Sequence, residues 1–118
     1  MSHSLFKELG ESPIIKVNEI NITTLDSLLQ KLGICHVNIL KINVEGAEFD
    51  VLKGARNFLA EKRISKIVIT THPPHEQTSK IIVRYLATFG YRVKVVKLKG
   101  GMRVIYAAHE PFDFTFKK

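Results

Sequence analysis

Two short segments hold most of the groups able to do chemistry. In the first, Asn43, Glu45 and Glu48 gather an amide and two carboxylates around Gly46. A carboxylate such as Glu45 can take a proton from a nucleophile or help hold a cation, and an amide such as Asn43 can fix a hydroxyl or amine. The glycine lets a ligand or a neighbouring backbone come close. Acids also suit a helix start, where the dipole is positive, so Glu48 reads equally well as a stabilising residue and Glu45 is the better functional candidate. In the second segment His72 and His75 bracket Pro73-Pro74. A histidine at a strand end, such as His72, can move a proton near neutral pH. The spacing of the two is not the helical i, i+4 pair of metalloproteases, so a metal site built with Glu45 is disfavoured and no metal is expected; solvent-exposed loop histidines are the ordinary reading. The single cysteine, Cys35, follows Gly33-Ile34 and reads as a buried, inert thiol, with no second cysteine for a disulfide or a thiolate zinc site. No Ser/His/Asp motif, P-loop or Gly-x-Gly-x-x-Gly occurs, so nucleotide binding by those devices is excluded within this chain.

The elements that must position these groups follow from periodicity. Residues 1–12 are polar and aperiodic and read as an arm, while residues 13–118 read as one α/β domain. The stretch 14–22 alternates in part, as a half-buried strand does. Thr23-Thr24-Leu25-Asp26 then opens a helix whose stripe of Leu25, Leu28, Leu29 and Leu32 is stopped by Gly33. Residues 37–44, rich in β-branched side chains, suit a strand covered on both faces. Ala47, Val51, Leu52, Ala55, Phe58 and Leu59 recur at helical spacing, with Gly54 as a kink, and residues 64–71 form another strand. Strand, helix and strand in this order make a βαβ crossover with parallel pairing. A helix over 79–89 and two strands flanking Lys99-Gly100-Gly101 complete the chain as an antiparallel hairpin.

At 118 residues there is room for one domain, and 45% hydrophobic with 25% charged residues is the composition of a folded globular chain. No apolar run approaches the roughly 18 residues that span a bilayer, and residues 1–8 do not resemble a secretory signal, so a soluble, cytoplasmic chain without membrane contact is expected. The formal charge is +7, and between Gln77 and His109 lie Lys80, Arg84, Arg92, Lys94, Lys97, Lys99 and Arg103 with no acid among them. The ordinary reading is a solvated helix face and a guarded edge strand. Nucleic acid is a less favoured partner, because aromatic residues are not interleaved with the cations.

The run Ile39-Leu40-Lys41-Ile42-Asn43-Val44-Glu45-Gly46-Ala47-Glu48-Phe49-Asp50-Val51-Leu52-Lys53-Gly54-Ala55, with Thr23-Thr24-Leu25-Asp26 before it and the strand into His72-Pro73 after it, resembles the signature of FkbM-type S-adenosylmethionine-dependent methyltransferases. The resemblance covers residues 14–106 and implies the carboxyl-terminal half of a three-layer Rossmann-like fold, with parallel strands and a final antiparallel hairpin. It implies S-adenosylmethionine as cofactor and a small hydroxylated acceptor, with Glu45 and His72 near that acceptor and Glu48 matching the signature in a role that can be structural; Asn43 joins Glu45 and His72 as a candidate site residue on its own chemistry. The family's glycine-rich turn and ribose-binding acid find no match here, so no cofactor-binding residue is assigned and the chain reads as incomplete or inactive on its own. Asn43 stands where the family has aspartate, and Thr70 or Thr71 where an acid is frequent, which weakens base or cation chemistry there. Strand 37–44 would then lack one neighbour. Segment 14–22 folding back, a second copy in a homodimer, or a complementing chain could cover it. The competing reading is a non-catalytic module that binds nucleic acid or a protein through the basic 80–103 surface.

Overall fold

The computed structural model describes residues 14–17, 24–44, 46–73 and 76–109, the side chain of Glu76 excepted. The expected arm over residues 1–12 lies outside them. The elements run β1 (Ile14–Val17), α1 (Leu25–Lys31), β2 (Val37–Ile42), α2 (Glu48–Lys53), α3 (Arg56–Ala60), β3 (Ile64–Thr71), α4 (Glu76–Thr88), β4 (Tyr91–Lys97) and β5 (Arg103–His109). They form a mixed α/β fold on one five-stranded sheet in the order β1-β2-β3-β5-β4. β1, β2 and β3 pair in parallel, and β5 enters antiparallel between β3 and β4, as the hairpin reading requires.

β1 pairs along residues 39–42 of β2, while β3 takes the other edge, so neither side of β2 is left without a strand. The outer edges of the sheet among the described residues are therefore those of β1 and β4.

The strand order advances in one direction through β1, β2, β3 and β4, and right-handed crossovers then put every connecting helix on the same face. Burial agrees. Ile15, Val17, Leu40, Ile42, Ile67, Ile69, Ile105 and Ala107 are buried on one face, and Lys16, Lys41, Arg92 and Lys94 alternate with this buried set and stand exposed on the other. The described residues thus make two layers. The expected third layer is not among them, because it needs a strand order that reverses and throws crossovers to both sides.

Thr24 caps α1, its hydroxyl accepting from the Ser27 amide at 3.1 Å. The helix expected over 47–59 is two helices, broken at Gly54-Ala55. The break brings Gly54 against α1: its carbonyl accepts from the Asp26 amide at 2.8 Å, and a Cβ on it would lie 3.3 Å from the Leu25 nitrogen. Asp26 then caps α3, whose own N-cap, Ala55, has no side chain to do so. Its carboxylate accepts from the amides of Asn57 at 2.8 Å and Phe58 at 3.1 Å. Edge-on ring contacts join α2 to α4 through Phe49 and Tyr85, centroids 5.1 Å apart.

Candidate functional site

Ligands of open α/β sheets bind beyond the carboxyl ends of parallel strands, and two of the expected residues lie there. Asn43 follows the last residue of β2 and His72 the last of β3, on neighbouring strands whose register pairs Ile42 with Ile69. Asn43 is exposed, and its backbone amide donates to the Val17 carbonyl at 3.1 Å, which fixes the residue where β1 and β2 end together. Its side chain is therefore presented from an anchored backbone. The Ala47 amide donates to the Val44 carbonyl at 3.2 Å, and Gly46 has φ of 82°, a conformation that favours glycine. Glu45 lies outside the described residues, as does His75.

Glu48 begins α2 and is fully buried, out of reach of a ligand in solvent. Its place in the first helical turn suits the stabilising reading, since a negative charge there meets the positive end of the helix.

His72 is half-buried, which corrects the solvent-exposed reading: its Nδ1 is buried and has no hydrogen-bond partner among the described residues. The hairpin comes close to the residues on either side of His72. Gly101, with φ of 81°, sits so near Pro73 that a Cβ on it would fall 2.7 Å from the Pro73 Cγ. Thr71 beside it is buried, and its hydroxyl donates to the Arg103 carbonyl at 3.5 Å. Neither link was legible from the His-Pro-Pro-His motif, and the two consecutive glycines of the hairpin pointed only to a tight turn.

Cys35 is exposed, not buried. Ile34 turns into the core and Val37 starts β2, and the extended link between them sends Cys35 outward.

The basic run does not form one surface. Lys80 and Arg84 on α4 face Lys97 and Arg103 on the helix-bearing side of the sheet, whereas alternation along β4 sends Arg92 and Lys94 to the opposite side.

A mostly parallel five-stranded sheet with helical crossovers makes this a mixed α/β domain, compatible with half of a Rossmann-like methyltransferase fold. The methyltransferase FkbM domain matches residues 2–93, and the chain belongs to that family. No curated protein and no solved structure matches the chain. No helix among the described residues is long and apolar enough to cross a membrane.

The family implies S-adenosylmethionine, which folds of this type hold with a glycine-rich strand-to-helix turn and an acid for the ribose. The residues here do not fit that device. The β1–α1 connection, Asn18-Glu19-Ile20-Asn21-Ile22-Thr23, has no glycine, and neither does His72-Pro73-Pro74-His75. Among described strand-to-helix turns the one positive-φ glycine is Gly46.

Proposed function

We propose that this chain is a methyltransferase-like domain of the O-methylating kind that works on a small hydroxylated acceptor at the carboxyl ends of β2 and β3 and does not hold S-adenosylmethionine tightly by itself. The observation that carries the reading is the placement of Asn43 and His72 at adjacent strand ends within a chain of the FkbM family. In this reading Glu45 takes the proton from the acceptor hydroxyl, the Asn43 amide orients that hydroxyl, and half-buried His72 is a second candidate proton acceptor. A homodimer partner or complementing chain would meet the sheet at an outer edge, that of β1 or that of β4, since both edges of β2 are paired.

Calorimetric titration of the full chain with S-adenosylmethionine tests the first half of this reading. The expected result is a Kd weaker than about 100 μM, equivalent to less than roughly 5.5 kcal/mol of binding; micromolar binding would show a complete cofactor site and overturn the incompleteness. For the second half, Glu45→Gln should lower methyl transfer by the native assembly about 100-fold, the usual scale of a lost general base. An unchanged rate would remove Glu45 from the mechanism.

A further inference from the structure

Between α4 and the β4–β5 hairpin lies a groove of about 460 Å³ lined by Ser79, Lys80, Val83, Arg84, Ala87, Val95, Lys97 and Arg103. Val83, Ala87 and Val95 give it an apolar floor, with Val95 still 39% exposed. Its other large side chains are all cations, and none of the four makes an ion pair with a described residue.

The arrangement works against stability. Lys97 and Arg103 are direct cross-strand partners, and Lys80 and Arg84 stand one helical turn apart. Like charges in either relation destabilise the element that carries them. Two unfavourable pairs, brought from a helix and a hairpin to one concave site, are the pattern left when charge serves a ligand and not the fold. We infer that this groove binds a small phosphorylated molecule, whose phosphoryl oxygens meet Lys80, Arg84, Lys97 and Arg103 while its less polar part lies on Val83, Ala87 and Val95. The guanidinium groups can each grip a phosphoryl group through two hydrogen bonds. The volume is that of a small-molecule site. A polyanionic strand would need a continuous track, but Arg92 and Lys94 lie on the other side of the sheet. The inference is independent of methyl transfer and of the cofactor.

The test is a titration of the full-length ¹⁵N-labelled chain with pyrophosphate at low salt. Saturable shifts are expected at residues 79–87, 95–97 and 103, with orthophosphate binding the same residues more weakly. Arg84→Gln combined with Lys97→Gln should weaken pyrophosphate about tenfold or more, on the scale of lost charge-assisted contacts. Lys94→Gln, on the opposite side, should leave it within twofold. A second readout needs no ligand: Lys97→Gln should raise the melting temperature of the free chain by about 2 °C, as relief of a like-charge pair predicts. Shifts that never saturate, equal weakening by Lys94→Gln, or a melting temperature lowered by Lys97→Gln would each overturn the inference. Tighter binding of a single-stranded oligonucleotide that depends on Lys94 would overturn it in favour of a polymer.

Discussion

Replacing Asp26 should loosen the scaffold that carries the candidate site without touching the site itself. The Asp26 carboxylate accepts from the amides of Asn57 and Phe58, at 2.8 and 3.1 Å, the two positions a helix's own cap would satisfy. Loss of a cap costs about 1 kcal/mol and up to about 2. Asp26 also sits in the first turn of α1, where its charge is worth roughly 0.3–1 kcal/mol. Asp26→Ala should therefore destabilise the chain by about 2 kcal/mol, which lowers Tm by about 8 °C in a domain of this size. Asp26→Asn keeps one acceptor oxygen and loses the charge, so about half the effect is expected. Denaturant unfolding at constant m measures both, and amide exchange at Asn57 and Phe58 should quicken in the alanine variant. A loss below about 0.5 kcal/mol for Asp26→Ala, or an asparagine variant as stable as the original chain, would refute the capping argument.

Three other changes have defined outcomes. Gly101→Ala meets Pro73 at 2.7 Å with φ of 81°, whereas Gly100→Ala has φ of 76° and nothing within 4 Å. The first should cost about 2–4 kcal/mol by unfolding and shift the His72 resonances, the second about 1–2 kcal/mol with His72 unmoved. The Tyr91 hydroxyl donates to the Ile64 carbonyl at 2.6 Å in a buried setting, so Tyr91→Phe should destabilise by about 1–2 kcal/mol, read from the same unfolding curves. Burial also pushes the Tyr91 phenol well above its usual range. The unfolded chain then releases this proton first. The Tyr91 contribution is intact below about pH 10 and falls by up to about 1.4 kcal/mol per pH unit above it, and Tyr91→Phe should make the alkaline loss of stability shallower by that share, leaving the smaller one of Tyr85, which burial also raises.

Much of the fold was legible because the informative residues act locally. Val37, Leu40 and Ile42 mark β2, Ile64, Ile67 and Ile69 mark β3, and Gly33 and Gly90 end helices as their positive φ angles require. What escaped depends on contacts between distant segments. Asp26 reads as a member of its own helix's capping box, yet its carboxylate serves α3, thirty-odd residues away. Gly54 reads as a kink, yet what it does is admit the start of α1. Cys35 looked buried because its neighbours are apolar, but burial is decided by backbone direction at that residue. At the candidate site, strand ends and polar residues were visible in the sequence, and so were Asn43 and His72. The burial of the His72 Nδ1 was not, and neither was the approach of the hairpin to Pro73, since contacts between distant segments leave no local pattern.

The insertion of β5 between β3 and β4 has a consequence for the order of assembly. β4 pairs with β5 alone, and the outer edge of β3 is satisfied by β5 alone. As the chain is synthesised, the parallel core of β1, β2 and β3 can gather first, but β4 emerges with no strand to join. The sheet becomes continuous only when residues 103–109, beyond the 2–93 span shared with the family, have been made and threaded into the gap. Until then β3 presents a free row of amides and carbonyls, the kind of edge that recruits chaperones or other nascent chains. Among the described strands β5 is thus the keystone, the one through which β4 is joined to the parallel core.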